Sequence, residues 1–226
     1  MTTTAIVTGA GTGFGLALTR GLAERGVAVI AGARDAARLR AAVADLPGVR
    51  AVPGDVNDPA ARAALVAAAG DRVDLLVHNA GELGPSPLPP LSAYPAESLR
   101  AVLETTLLAP LQLTQLALPA LRVARGTVVT LSSDAAVEAY PGWGGYGAAK
   151  AALDHYAAVL GVEEPELAVY AFDPGDMRTA MHQRAFPGED ISDRPEPEAV
   201  VPALLRLLDE RPGSGRYRAA DLVVPA

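Results

Sequence analysis

The sequence predicts an α/β fold, a Rossmann-type doubly wound parallel sheet of about seven strands with helices on both faces. Short, continuously apolar runs alternate with Ala- and Leu-rich stretches of helical length from one end to the other, the pattern of a parallel sheet covered on both sides. A glycine-rich turn, "TGAGTGFG" (8–15), joins the first apolar run to the first helical stretch. The 226 residues are 50% hydrophobic and 20% charged, enough to bury one core without staples. Residues 1–226 are therefore expected to form a single dinucleotide-binding domain, with no linker or repeat.

The elements follow in order. "TAIVTG" reads as a first strand and residues 13–25 as a helix. "VAVIAG" is a second strand, and "DAARLRAAVADL" a helix that stops at Pro47-Gly48. "VRAVPGD", a helix over "DPAARAALVAAAG" and a fourth strand in "VDLLVHNAG" come next. The apolar-periodic stretch from about Ser98 to Arg122 predicts a long helix, kinked or broken at Pro110. "GTVVTLSS" is a fifth strand, "YGAAKAALDHYAAVLG" a helix and "LAVYAFDPG" a sixth strand. A helix near 196–210 precedes a short last strand around 217–223.

Composition removes several function classes. Cysteine is absent, so neither a disulfide framework nor a thiolate site is available. The net charge of −7 argues against nucleic acid or an anionic membrane as partner. No apolar run looks long enough to span a bilayer, and "MTTTAIVTGAG" is not a signal peptide; a cytoplasmic location is expected. His155 and His182 have no partner at ligand spacing, so no metal is assigned. Two segments break the alternation: the proline-rich "GPSPLPPLSAYP" (84–95), read as a solvated loop, and the acidic "FPGEDISDRPEPE" (186–198). The second follows the sixth strand, at the sheet end where ligands bind. A substrate flap is expected over about 176–198.

In the first turn, Gly9, Gly13 and Gly15 let the backbone turn tightly and bring a helix N-terminus towards a pyrophosphate. At the end of the second strand, "AGARD" has Ala33 where dinucleotide sites often carry an acid for the ribose diol. Arg34 follows, and a guanidinium fork suits a 2′-phosphate. That favours NADP(H), with NAD(H) the alternative; Asp35 is read as the cap of the next helix.

Lys150 is the one lysine among 19 Lys and Arg residues, and it stands four residues after Tyr146, on the same helix face. An ammonium ~4 Å from a phenol, at an effective dielectric of ~20, favours phenolate by ~4 kcal/mol, or roughly three pKa units. That would bring the phenol towards neutrality, where acid–base catalysis works best. Lysine suits the task because it is compact; a planar guanidinium is no substitute. A serine at the end of the fifth strand can donate to a carbonyl oxygen that gains charge; Ser132 and Ser133 compete for this role, and adjacent strand side chains point to opposite faces, so only one can serve.

With these residues in place the chain resembles the short-chain dehydrogenase/reductase family, in its compact single-domain form. The resemblance covers nearly the whole sequence. It rests on "TGAGTGFG" as TGxxxGxG, "HNAG" (78–81), Ser133, "YGAAK" as YxxxK, and "PGDMRT" (174–179) as PGxxxT. It implies that Tyr146 exchanges the proton, Ser133 holds the carbonyl, and Lys150 binds the nicotinamide ribose and tunes the tyrosine. Gly9, Thr12, Gly13, Phe14 and Gly15 would face the phosphates, with Arg34 at the ribose. Asp55 and Val56 would contact the adenine. Asn79, Ala80 and Gly81 would line the cofactor, and Pro174, Gly175 and Thr179 would form the nicotinamide-side loop. Thr106 occupies the place where the family commonly carries a catalytic asparagine, in the middle of the long helix. His78, where the family often has asparagine, is read as a hydrogen-bonding residue at a strand end.

The function so implied is an NADP(H)-dependent interconversion of a carbonyl and an alcohol, with a small-molecule substrate whose pocket Trp143, Tyr140 and Met177 would shape. A dinucleotide sensor on the same fold with little or no turnover is the alternative, suggested by Thr106 alone. An epimerase or dehydratase of the longer related group needs more C-terminal chain than is present. The family commonly forms dimers or tetramers through its two long helices, here about 98–122 and 145–161.

Overall fold

The computed structural model of the chain describes residues 3–222. Its strands are β1 (Thr4–Thr8), β2 (Ala28–Ala33), β3 (Val49–Pro53), β4 (Leu75–His78), β5 (Thr127–Leu131), β6 (Ala168–Asp173) and β7 (Gly215–Arg218). They form one sheet in the order β3-β2-β1-β4-β5-β6-β7, with every neighbouring pair parallel. The helices are α1 (Gly13–Glu24), α2 (Ala36–Val43), α3 (Pro59–Ala69), α4 (Ala96–Leu103), α5 (Ala109–Ala124), α6 (Gly144–Glu163), α7 (Ala180–Ala185), α8 (Pro197–Glu210) and α9 (Ala219–Leu222).

The pleat sorts the apolar runs into two cores. Ala5 and Val7 of β1 pack with Phe14 and Leu18 of α1, Leu39 of α2 and Leu204 of α8. Ile6, between them, faces the other way, onto Leu65 of α3, Leu113 and Leu121 of α5 and Leu160 of α6. The helix starts read in the sequence are built as expected. Asp58 caps α3, accepting from Ala60 N–H at 2.9 Å ahead of Pro59, and Asp35 caps α2, accepting from Arg38 N–H at 2.9 Å. From β1 the chain winds outward through β2 to β3, then returns to place β4 on the other side of β1. At this reversal the crossovers leave in opposite directions, so the carboxyl ends of β1 and β4 part into a crevice.

The long middle helix departs from expectation in where it is irregular. α4 and α5 are joined without a break by a π-helical segment, Glu104–Leu108, just before Pro110. Pro110 has no N–H for the carbonyl of Thr106 four residues back, and its ring crowds that carbonyl. The chain takes up one extra residue in the turn, and Ala109 N–H bonds back to Glu104 O. The continuous helix, Ala96–Ala124, has 29 residues with a mean hydropathy of 1.3 over its most apolar window. Those are the dimensions of a bilayer span, contrary to the expectation that no apolar stretch would reach that length. Leu113, Ala117 and Leu121 are fully buried against the sheet, which accounts for part of the apolarity as core packing, while Leu108, Leu116 and Val123 are exposed.

Two further differences concern the end of the chain. The last strand is Gly215–Arg218, not 217–223; Ala219–Leu222 turns into α9, and Val223 lies outside the described residues. Register with β6 decides the matter: Gly215 to Arg218 pair with Tyr170 to Asp173, while Ala219 and Ala220 favour a helix. Within the segment expected as a flap lies α7, whose N-cap Thr179 accepts from His182 N–H at 3.1 Å.

Candidate active site

The crevice at the carboxyl ends of β1, β2 and β4 has a volume of about 630 Å³, within the usual range for a small-molecule or cofactor site. Its phosphate end is built by β1, β4 and the glycine turn. Thr8 Oγ1 donates to Val77 O and accepts from the backbone N–H groups of Asn79 and Ala80, both at 3.0 Å. Asn79 Nδ2 returns bonds to the carbonyls of Thr8 (2.9 Å) and Gly9 (3.2 Å). These bonds fix the turn against the end of β4. Gly9 has φ +67°, in the left-handed region open to glycine. Gly9, Thr12, Gly13 and Phe14 line the crevice, and no side chain caps α1 at Thr12, which leaves its first N–H groups for a ligand. Gly15 lies beneath the crevice rather than in its wall. A Cβ there would come within 2.4 Å of both Gly9 O and Asn79 Nδ2, so this glycine serves close helix–turn packing.

At the far end Arg34 borders the crevice, and so does Arg38 from the first turn of α2. Sequence reasoning missed Arg38, although a second arginine one helical turn beyond Arg34 was the available signal. Asp55, Val56, Asn79, Ala80 and Gly81 line the wall as expected. Asp55 Oδ1 accepts from Asn57 N–H (2.9 Å), and Asn57 Nδ2 donates to Thr105 Oγ1 (2.9 Å), tying this wall to the π-helical segment.

At the other end α6 presents Tyr146 and Lys150, 9% and 5% exposed, both facing the crevice. Lys150 Nζ donates to Leu131 O at 2.5 Å and stands 5.5 Å from the Tyr146 ring centroid. Burial pushes the ammonium down to about 8, with Asp154 and Asp173 pulling it back up. For the phenol the outcome differs from the sequence expectation. Burial pushes Tyr146 well above its ordinary range; hydrogen bonding with Ser133 opposes this, and Asp134, Asp173 and Asp176 add to it. The expectation counted one cation on one helix. Desolvation, with carboxylates carried by other elements, decides the outcome instead, and the phenol is held neutral.

Ser133 Oγ donates to Asp134 Oδ1 (2.9 Å) and accepts from Ala135 N–H (3.2 Å). It shares with Tyr146 a smaller cavity of about 100 Å³, lined also by Trp143, Met177 and Gly175. Ser132 lines both cavities, but its Oγ is engaged, donating to Asp154 Oδ2 at 2.7 Å. Pro174 and Thr179 border the nucleotide crevice, whereas Gly175 meets only the smaller cavity. Tyr140, expected beside the substrate, is 40% exposed and donates to Glu138 Oε2 at 2.7 Å, outside that cavity. Thr106 is 1% exposed in the π-helical segment, its hydroxyl without a protein partner, and it lines neither cavity. His78 is buried with Nε2 2.8 Å from Thr114 Oγ1, and burial pushes it down to about 3; it is neutral at any ordinary pH. Among the described residues no group of three His, Cys, Asp or Glu is placed to hold a metal.

A family model described as short chain dehydrogenase matches residues 3–190. The chain belongs to the short-chain dehydrogenase family. It is 32% identical over 205 residues to L-fucose dehydrogenase of Bos taurus, covering 87% of this chain and 72% of that one. A short-chain dehydrogenase of Shigella flexneri complexed with NADP superposes with a TM-score of 0.90 at 28% identity, over 96% of this chain and 97% of that one. A second, from Escherichia coli CFT073 complexed with NADPH, gives 0.89 at 29% identity over 96% of each.

In this dehydrogenase a buried charge network, absent from the sequence reading, stands behind Lys150 and Ser133. Arg216 of β7 donates through Nε to Asp154 Oδ2 (3.1 Å), and through Nη2 to Asp173 Oδ2 (2.8 Å) and the Ser133 carbonyl (3.0 Å). Asp154 and Asp173 are largely buried and need that cation. Arg216→Met removes the ion-pair partner of both carboxylates and is expected to cost about 3–5 kcal/mol, towards the lower end because Arg216 is itself about a quarter exposed and Lys150 remains near both. Urea denaturation checks this; an unchanged midpoint would show that the network adds nothing to stability.

Proposed function

We propose that the chain is an NADP(H)-dependent oxidoreductase that interconverts a carbonyl and an alcohol, with Tyr146 as acid/base. The observation that carries this is the joint burial of Tyr146 and Lys150 at one end of the crevice, with Ser133 opening onto the same cavity as Tyr146. The crevice fits a dinucleotide: an uncapped helix N-terminus lies at its middle and two arginines at its far end. The NADP and NADPH held by the two structural relatives support the same cofactor here.

When bound, the cofactor supplies or accepts the hydride. The chain's own residues do the rest. In reduction, the Ser133 hydroxyl donates a hydrogen bond to the carbonyl oxygen, and the Tyr146 phenol, held neutral by burial, gives that oxygen its proton. Lys150, anchored on Leu131 O, presents its ammonium to the nicotinamide ribose and to the phenolate left on Tyr146. Gly9, Thr12, Gly13 and Phe14 hold the pyrophosphate, with Gly15 packed beneath them. Arg34 takes the 2′-phosphate together with Arg38, and Asp55, Val56, Asn79, Ala80, Gly81, Pro174 and Thr179 position the remainder. Thr106 stands at the family's asparagine; Pro110 and the π-helical segment interrupt the helix there. The segment 176–198 closes over the substrate. It is clasped to the 84–95 loop by Arg184, which donates to Gly84 O (2.9 Å), and by Ser86 Oγ, which donates to Arg184 O (2.7 Å). Exposed Leu108, Leu116 and Val123, with Val159 and Val162 of α6, give a face for a homodimer or tetramer.

NADPH consumption with a panel of ketones and aldehydes tests the assignment. Tyr146→Phe keeps the ring and removes the proton, and is expected to lower kcat by about 10²–10⁴-fold with cofactor binding retained; full activity would remove Tyr146 from the chemistry, and no consumption with any carbonyl would favour a sensor. Arg34→Ala is expected to weaken NADPH by about 10–100-fold relative to NADH, the loss of charge-assisted hydrogen bonds of about 1.5–3 kcal/mol. An unchanged ratio would place 2′-phosphate recognition elsewhere. The Lys150 ammonium is present below its folded pKa of about 8 and lost above it. The kcat/KM for NADPH, which reports the free enzyme, should therefore be level below pH 8 and fall above it.

A further inference from the structure

The first turn of α6, which carries Tyr146, is a poor helix start by its own sequence. Gly144, Gly145 and Gly147 flank the tyrosine, and glycine is the weakest helix former after proline. Trp143 stands at the N-cap and no side chain caps the turn, so its shape must come from neighbours distant in the chain. Each glycine admits one. A Cβ on Gly147 would lie 2.6 Å from Ala135 O, in the turn that follows Ser133. A Cβ on Gly145 would overlap the Tyr94 ring, and one on Gly144 the Leu91 side chain. Residues two apart on a helix are turned about 200° from each other. Tyr94 and the turn after Ser133 therefore grip opposite faces of the helix start, with Tyr146 between them.

Leu91 and Tyr94 belong to the proline-rich 84–95 segment, expected from the sequence as a solvated loop. One side of it is instead a seam against α6. Leu88, Leu91 and Tyr94 are spaced by three and meet Gly142, Gly144 and Gly145 in order. Leu88 also packs on the small core that holds Leu83 and Tyr146. Leu91 is 70% exposed, yet its inner edge covers the backbone of Gly144. Tyr94 Oη is buried without a protein partner, so the ring and not the hydroxyl makes the contact. Prolines at 85, 87, 89, 90 and 95 fix φ along the segment and leave it few conformations, which suits a rigid backing. Its start is held by Arg184, which donates to Gly84 O at 2.9 Å.

We propose that Tyr94 and Leu91 are positioning residues for the reaction: from the 84–95 segment they back the glycine-rich start of α6 and hold Tyr146 at the Ser133 hydroxyl. The inference rests on the oxidoreductase reading above for the role of Tyr146. Displacing a reacting group by about 1 Å can cost about 10²-fold in rate, while the cofactor contacts at the glycine turn and Arg34 lie on other elements. Tyr94→Ala is therefore expected to lower kcat by about tenfold or more, with the KM for NADPH changed by less than about threefold. Tyr94→Phe, which keeps the ring, should restore the rate. Leu91→Ala, at a side chain exposed enough to leave folding intact, should lower kcat severalfold. Gly145→Ala should lower kcat by about tenfold or more in the native background and no further in Tyr94→Ala, where its methyl has room. Trp143 is the chain's one tryptophan, with its ring 5.6 Å from that of Tyr146, so acrylamide quenching of its fluorescence reports the turn without turnover. Quenching should rise in Tyr94→Ala and not in Tyr94→Phe. Unchanged kcat in Tyr94→Ala and Leu91→Ala, a KM for NADPH that rises in step with the loss of kcat, or a Gly145→Ala loss equal in both backgrounds overturns the proposal. The expected quenching pattern in a protein that oxidises NADPH with no carbonyl would instead overturn the oxidoreductase reading and leave the backing of α6 standing.

Discussion

A single ammonium group, buried and held by one backbone carbonyl, is the constraint on which the site depends. Lys150 can stay charged under the crevice only because Leu131 O accepts its hydrogen bond and Asp154 and Asp173 lie close enough to oppose the cost of burial. Those two carboxylates are themselves buried and require Arg216. Cation and anion thus alternate from α6 through β6 to β7, and Arg216 ends the series on the Ser133 carbonyl. The position of the serine and the charge of the lysine are therefore set by the same few contacts. A guanidinium at position 150 would bring five donors in a wide fork to a place built around one carbonyl.

The sheet makes this arrangement reachable. Because β4 lies beside β1 and β5 beside β4, the end of β5 brings Ser133 to the smaller cavity that shares Tyr146 with the crevice whose other end is the glycine turn after β1. Thr8 and Asn79 lock the two central strand ends together, so the phosphate end and the chemical end are parts of one rigid edge. Pro110 contributes from behind, by making the long helix accommodate an extra residue beside α6.

Much of this was legible in the sequence because it rests on local pattern. Continuous apolar runs marked the parallel strands, the glycine turn marked the reversal point, and the four-residue spacing put Tyr146 and Lys150 on one face. What escaped depends on partners distant in the chain. A proline signals a disturbed helix but does not say that the turn before it will widen. "RYRAADLVV" is apolar enough for a strand almost anywhere, and only pairing with β6 places it at Gly215–Arg218. Arg216 reads as a surface arginine until β7 carries it beside Asp154 and Asp173. The phenol was misjudged for the same reason: its field comes from Asp134, Asp173 and Asp176 on segments that only the fold assembles.

The state of Lys150 is open to direct measurement because the chain has no other lysine. Protein labelled with ¹³C and ¹⁵N at lysine should give one side-chain signal, to be followed against pH in the cofactor-free state. A midpoint near 8 is expected for an ammonium buried in this network. A midpoint at the ordinary lysine value of about 10.4 would mean that the amine sits in water, and the buried cation from which the site is built would not exist.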